Sequence, residues 1–494
     1  MIENLFLGFE TATTVKNLLF CFFGVTLGTV VGVIPALGAL ATISLLLPLT
    51  YLIIDPITSI IFLAGIYYGC QYGGSITSIM LRMPGEVSSV VTCEDGNALA
   101  KKGHAGTALT ITTLSSFVGG ILSAAAMAGL AFYLSKLAFV FGPADYASLM
   151  VLGLLACLIT STGSFYKGLI MIFLGIFLGT VGTDLATGKT RLTGGISSLR
   201  DGIPVAVLAI GLFGLGEMLY NLYKVKNIWR KNYLPLVKSL YPSSVDFKKA
   251  FKPSVRGASF GTILGLLPGG GPVISSFLSY AFEKFISKNP KKFGKGSIPG
   301  IAAPEAANNA ASQTCLLPTL ILGLPITPVV AVIAASLIMN GIQPGPDLMT
   351  KNPDLFWGVI ASFLIGNLML VILNIPLVRV WIKILHSPTW MLYLLAVSAS
   401  FFGVYSLRNN TFDLLLLLFF GCLGFYLKLR NFPVTVLVMS FVIGPLLEEY
   451  YKRALTISAG DYLVFLNRPI SCGFLIMALF CVWYKMRSKN SIIK

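Results

Sequence analysis

Charge is what this chain has least of. Only 11% of its 494 residues are Asp, Glu, Lys or Arg, where soluble domains carry about 25%. Acids are the scarcer sign, 19 against 36 Lys and Arg, for a formal net charge of +17. Two histidines, His104 and His386, leave little for His-based catalysis, and no G-x-G-D offers the aspartates of an intramembrane hydrolase. The chain therefore does not read as an enzyme. Its eight cysteines (Cys21, Cys70, Cys93, Cys157, Cys315, Cys422, Cys472, Cys481) lie far apart without a C-x-x-C pair. They read as small buried hydrophobes, with neither a metal site nor a disulfide framework among them. Gly182-Thr-Asp-Leu-Ala-Thr-Gly-Lys-Thr190 looks like a phosphate loop, but Thr183 stands where the motif needs glycine. A nucleotide-driven pump loses its only support.

Apolar length fills the space these absences leave. The chain is 55% hydrophobic, with mean hydropathy +0.83, and apolar runs of roughly 18 or more residues recur almost throughout, each able to cross a ~30 Å hydrocarbon core. Roughly ten to twelve such runs are expected, making this an all-α polytopic integral membrane protein with the lipid bilayer as its solvent. Glu3 and Glu10 precede the first run and no A-x-A pattern follows, so the start is not read as a secretory signal peptide.

The cations gather in a few loops. Lys224, Lys226, Arg230, Lys231, Lys238, Lys248, Lys249, Lys252 and Arg256 face one acid, Asp246. That pattern fits the positive-inside rule better than a nucleic-acid or lipid-specific patch, and it predicts a cytoplasmic connecting loop over 223–256. An N-terminal membrane repeat, 1–222, and a C-terminal one, 257–494, are expected on either side.

Two stretches are near copies: Gly28-Thr-Val-Val-Gly-Val-Ile-Pro-Ala-Leu-Gly38 and Gly261-Thr-Ile-Leu-Gly-Leu-Leu-Pro-Gly-Gly-Gly271. Each sets Pro and Gly inside an apolar run, at Pro35 and Gly38 and at Pro268, Gly269, Gly270 and Gly271. A break in a membrane helix frees N–H and C=O groups that cost several kcal/mol each unless something satisfies them. Paired breaks in the two halves of a polytopic protein point to a transporter's binding site. Cations flank Gly257 to Phe282 on both sides, which predicts a re-entrant hairpin; the first break has no positive flanks. The two hairpins should open to opposite sides, as in inverted repeats. Two ordinary spanning helices at residues 17–34 and 36–54 are the alternative.

The repeat goes on. Ser78-Ile-Met-Leu-Arg-Met-Pro84 resembles Thr319-Leu-Ile-Leu-Gly-Leu-Pro325 and follows its break at a similar interval. After Pro304, expected in a helix's first turn, Glu305, Asn308, Asn309 and Ser312 fall at i, i+3, i+4 and i+7, on one face. A carboxylate at mid-membrane costs at least ~2.5 kcal/mol, so this face is expected to line a solute or cation pathway. A second face carries Tyr68, Gln71, Tyr72 and Ser75, with Thr77 and Ser78 beyond; its glycines could equally serve close packing. Residues 84–106, with Gly85, Glu86 and Asp95, read either as a lining loop offering N–H groups to an anion or as a solvated connector.

Together these blocks, with Tyr67-Tyr-Gly-Cys-Gln-Tyr-Gly-Gly-Ser-Ile-Thr-Ser78, Gly211-Leu-Phe-Gly-Leu-Gly-Glu217, Ala303-Pro-Glu-Ala-Ala-Asn-Asn-Ala-Ala311 and Gly341-Ile-Gln-Pro-Gly-Pro346, resemble the large membrane subunit of the bacterial tripartite tricarboxylate transporters over about 17 to 450. The resemblance implies a multi-pass protein of the bacterial inner membrane, driving cation-coupled uptake with a small membrane subunit and an extracytoplasmic solute-binding protein. Departures occur at the first break, Pro35-Ala-Leu-Gly-Ala39, at Asn97 where an aromatic is usual, and at Ile326-Thr327 where Gly-Ser is usual. They bear on the substrate more than on the mechanism.

Electrostatics narrows the expectation. Two half-helix N-termini offer about +1 charge against a di- or tricarboxylate. Bringing two negative charges in against 100 mV costs roughly 4.6 kcal/mol. Without a nucleotide site, cotransported Na⁺ or H⁺ is the natural source, with a Na⁺ expected near Asn308 and Asn309 and no firm metal site or other cofactor. A carrier for another organic anion, a passive channel or a receptor are the alternatives.

Overall fold

Apolar runs can satisfy their backbones in lipid only as helices or closed barrels, and here they form helices. A computed structural model describes residues 2–34, 38–47, 50, 55–82, 84–160, 164–184, 188–224, 242–267, 271–384, 397–398, 400–402, 404–405 and 408–488. The first half holds α1 (Ile2–Ala12), α2 (Val15–Gly32), α3 (Gly38–Leu46), α4 (Pro56–Leu81), α5 (Val90–Leu99), α6 (Ala105–Val140), α7 (Pro143–Thr160), α8 (Phe165–Gly179), α9 (Val205–Ala209) and α10 (Gly216–Lys224). The second holds α11 (Ser244–Gly265), α12 (Gly271–Ile286), α13 (Ile298–Thr314), α14 (Leu316–Leu322), α15 (Pro328–Met339), α16 (Leu348–Lys351), α17 (Pro353–Asn374) and α18 (Val378–Ile384). It closes with α19 (Thr411–Leu429), α20 (Val434–Ile457), α21 (Val464–Asn467) and α22 (Pro469–Ser488). Among the described residues, five helical stretches are long and apolar enough to cross a membrane, and five shorter apolar helices accompany them. The fold is all-α and polytopic; the two ends of the phosphate-loop look-alike pair as short antiparallel strands, Gly182–Thr183 against Thr190–Arg191.

The internal repeat is written in the packing. In the first half Gly24, Gly28 and Gly32 of α2 lie so close to α4 that an added Cβ would come within 3 Å of the Phe62, Ile66 and Cys70 carbonyl oxygens. In the second, Gly257, Gly261 and Gly265 of α11 meet Ala303, Ala307 and Ala311 of α13 in the same way. The glycines are 233 positions apart (257 − 24) and their partners 241 (303 − 62). Backbone conformation repeats at the same offsets. Gly38 and Gly271 open the second arm of each break with φ of +68° and +41°, and Arg82 ends α4 and Gly323 ends α14, which follows α13, with φ of 56° and 66°. The left-handed region is cheap for glycine and not for a branched side chain, so these turns are fixed where the copies agree.

Equivalent helices run in opposite directions where they meet. Ser75 of α4 reaches Glu305 of α13, while Tyr67, earlier in α4, reaches Cys315, beyond the end of α13. Antiparallel crossing of equivalent elements is what inverted repeats require.

The second break forms a helical hairpin. Arg256 of α11 pairs with Glu283 of α12 through Nε–Oε1 at 2.6 Å, and Phe260 meets Phe282 with ring centroids 5.1 Å apart. From Arg256 to Leu267 the arm advances about 16 Å, half the thickness of a hydrocarbon core. The turn at Pro268, Gly269 and Gly270 lies outside the described residues, as does Pro35 of the first break.

Three expectations are corrected. Residues 244–256 are not loop: they are the first half of α11, started by Ser243, whose hydroxyl accepts from the Asp246 N–H. Residues 84–106 are largely helix instead of loop, with 101–104 exposed to solvent. They wind into a short 3₁₀ turn, Val87–Ser89, then α5 and a π-turn, Ala100–His104, that leads into α6. Pro304 does not begin its helix. Ser297 caps α13 through the Gly300 N–H and Pro299 occupies the first turn, which puts Pro304 in the interior.

Candidate functional site

Helix α13 is enclosed by protein, and its sequence explains how. Alanines at 302, 303, 306, 307, 310 and 311 leave grooves shallow enough for the α11 glycines on one side and for Gly119 of α6 on another, where an added Cβ would strike the Ala306 carbonyl. Glu305, Asn308, Asn309 and Ser312 are each 0% exposed. They lie inside the protein, where every polar atom needs a partner.

Glu305 finds two. Its Oε2 accepts from the Ser75 hydroxyl of α4 at 2.5 Å and its Oε1 from the Thr92 hydroxyl of α5 at 2.5 Å. No basic side chain pairs with it among the described residues. Asn309 donates through Nδ2 to Ser116 of α6 at 2.7 Å and to its own helix at the Glu305 carbonyl, leaving Oδ1 without a partner among the described residues. Asn308 has neither its Oδ1 nor its Nδ2 satisfied there. One turn apart on α13, a carboxylate and two orphaned amide oxygens are the ligand types that a hard cation takes. Ser312 spends its hydroxyl on the Asn309 carbonyl and adds nothing to this set. Ser75 and Ser116, the partners of Glu305 and Asn309, both line a seam between α4, α6 and the α17–α18 corner, with Tyr72, Thr112, Thr113 and Asn374 beside them. The seam is too narrow for a water-sized sphere.

The first break makes a second cluster, one turn further along α4. The Glu86 carboxylate accepts from the Ala39 N–H and so covers the N-terminus of α3, beside Gly38. Gly85 is wedged against Gly32, Gly74 and Thr77, and Ser78 donates to Ser89 Oγ at 2.9 Å. Thr77 returns its proton to the Gly74 carbonyl. One of the two expected anion-attracting helix ends is therefore already occupied by the chain's own carboxylate. At the second break Gly271 lies against Thr327, the cap of α15.

Asp95 stands apart. It accepts from the Gly296 and Ser297 N–H groups at 2.8 and 2.7 Å and from Tyr280 Oη at 3.1 Å, which makes it the buried cap over the N-terminus of α13. Thr92 and Asp95 lie one turn apart on α5, so this helix clamps α13 at two points. Asn97 ties α5 to the end of α4 through the Ile79 carbonyl. The sequence pattern missed Thr92 and Ser116. Their signal was present only as hydroxyls at helical spacing in Thr92-Cys-Glu-Asp95 and Thr112-Thr-Leu-Ser-Ser116, which apolar helices also use for packing.

The sequence model of the "Tripartite tricarboxylate transporter TctA family" matches residues 18–439. An uncharacterized 52.8 kDa protein in the TAR-I ttuC' 3' region of Agrobacterium vitis is 47% identical over 482 residues, 98% of this chain and 95% of its own length. A second uncharacterized protein, in the TAR-II ttuC' 3' region of the same organism, is 50% identical over 222 residues, 45% of this chain and 92% of its own. No solved structure matches the chain. With the match extending across both repeats, both breaks and the buried face of α13, the chain belongs to the tripartite tricarboxylate transporter TctA family.

Proposed function

We propose that this transporter subunit takes up di- or tricarboxylates by secondary active transport, driven by a Na⁺ or proton gradient. It does so with a small membrane subunit and an extracytoplasmic solute-binding protein at the bacterial inner membrane. One observation carries the reading. Among the described residues Glu305 is a fully buried carboxylate supported by hydroxyls alone, with the unpartnered oxygens of Asn308 and Asn309 one turn along the same helix, where the two inverted repeats cross. A bare carboxylate in that position costs several kcal/mol, which a proton or a bound cation removes. Two inward negative charges cost roughly 4.6 kcal/mol per 100 mV, and cotransported cations offset that load. The N-terminus of α12, at Gly271 beside Thr327, is the helix end offered to the substrate's carboxylates, since Glu86 holds the first. The seam along Ser75, Thr113 and Ser116 is closed, as one state of an alternating-access cycle.

The test is accumulation in proteoliposomes holding this chain and its small partner, with the binding protein outside and radiolabelled succinate or citrate as probe. Accumulation is expected only under an imposed Na⁺ or proton gradient and without ATP. Asn308→Ala is expected to lower it at least about tenfold at normal protein abundance, the size of one lost charge-assisted contact. Flux that only equilibrates the substrate would instead make the chain a channel. Accumulation of other organic anions in place of carboxylates would move the substrate class.

A further inference from the structure

The basic end of the C-terminal hairpin is organised more finely than a solvated loop. On α11, Lys248, Lys252 and Arg256 recur every four residues with Lys249 beside them, forming one stripe. Phe247, Phe251 and Val255 form the next stripe round the helix; Phe247 and Phe251 are 48% and 52% exposed. The third face, Ala250, Pro253, Ser254 and Gly257, is buried against the protein. The cation stripe does not simply face outward. It lines a cleft of about 400 Å³ closed by Ser287, at the end of α12, and Pro299, at the start of α13. The one carboxylate among the described residues that line the cleft, Glu283, is taken by Arg256 through two hydrogen bonds of 2.6 and 2.8 Å. Lys248, Lys249 and Lys252 are in no ion pair among the described residues.

We propose that this cleft binds the phosphate of an anionic phospholipid headgroup, with the acyl chains lying along Phe247, Phe251 and Val255. Three unneutralised ammonium groups converge on one concave site, and an apolar stripe of the same helix runs beside it. A free phosphate would use the first feature and leave the second unexplained. Depth agrees. With Leu267 about 16 Å beyond Arg256, half the thickness of a ~30 Å core, an arm that stops at mid-membrane sets the lysines at the headgroup level. Lysines near an anionic membrane surface each strengthen binding roughly fivefold. The proposal rests on the hairpin being re-entrant, but its readout is lipid retention in detergent, so it can fail while carboxylate transport stands.

Native mass spectrometry of the full-length purified protein, titrated with phosphatidylglycerol or phosphatidylcholine, tests it. The wild type is expected to retain phosphatidylglycerol over phosphatidylcholine. The triple variant Lys248→Gln, Lys249→Gln, Lys252→Gln should lose that preference by at least about tenfold. These side chains are exposed, so the variant is expected to fold. Phe247→Ser with Phe251→Ser should weaken long-chain phosphatidylglycerol while leaving glycerol 1-phosphate binding unchanged. Equal phosphatidylglycerol retention by wild type and triple variant would overturn the site. Glycerol 1-phosphate binding as tightly as the lipid would overturn the headgroup assignment and leave a soluble phosphate ligand.

Discussion

Glu305→Ala eliminates carboxylate accumulation, a fall of at least about a hundredfold at unchanged membrane abundance, since it removes the only charged member of the α13 face. Alanine fits this helix, whose neighbouring positions are already alanine, and it leaves behind two hydroxyls, Ser75 and Thr92, that can turn to their own helix carbonyls. Folding should therefore survive the change. Glu305→Gln separates the two jobs of the carboxylate. It keeps the shape and an acceptor oxygen but cannot take up a proton or neutralise a cation. Its expected phenotype is substrate exchange without gradient-driven accumulation. Initial uptake rates in vesicles, normalised to protein in the membrane, check both variants. Gradient-driven accumulation at wild-type level by Glu305→Gln would remove the carboxylate from coupling.

Gly261→Val is expected to prevent assembly of the folded protein altogether. An added Cβ lands 2.2 Å from the Ala307 carbonyl oxygen and 2.8 Å from the Ala310 Cβ, and neither a helix carbonyl nor an alanine methyl can swing aside. Overpacking costs roughly 1–3 kcal/mol and more where it strikes backbone, and α11 carries three such glycines in register. Gly28→Val, its counterpart in the first repeat, should behave alike, because its Cβ meets the Ile66 carbonyl. Gly129→Val on α6 is the control: nothing lies within 4 Å of its added Cβ, and a normal monodisperse peak on size-exclusion chromatography is expected. Were Gly261→Val to elute and melt like wild type, the glycine stripes would not be holding the repeats together.

Much of this was legible in the chain. The breaks around Pro35 and Pro268 and the pair Ser78 and Thr319 differ by 233 and 241 positions, the same two offsets that the glycine stripes and left-handed turns obey. Repeated Pro and Gly are readable because they act on their own backbone. Glu305, Asn308 and Asn309 were readable for a different reason: polar groups at helical spacing stand out in an alanine-rich run. What could not be read were the partners across space. Thr92 and Ser116 are ordinary hydroxyls until α5 and α6 fold against α13. Asp95 looked like a ligand because its role, capping α13, depends on Gly296 and Ser297, 201 and 202 positions away. Glu86 hid its role likewise, since nothing local says that it closes the helix starting at Gly38. The repeat also conceals an asymmetry. At the 241 offset Glu305 corresponds to Ala64, and Asn308 and Asn309 to Tyr67 and Tyr68, so only one half carries the charge.

The central proposal, that the closed seam lined by Ser75 and Ser116, the partners of Glu305 and Asn309, belongs to the coupled transport pathway, is tested most directly at Thr113. Among the described residues its hydroxyl bonds only to the Leu109 carbonyl of its own helix, so Thr113→Cys is a mild change at a seam-lining position. In a transport-competent background with the eight native cysteines replaced, the rate of modification by a small thiol reagent should fall at least severalfold when carboxylate and coupling cation are added together, and less with either alone. A rate indifferent to both, in a protein that still accumulates substrate, would place the pathway elsewhere.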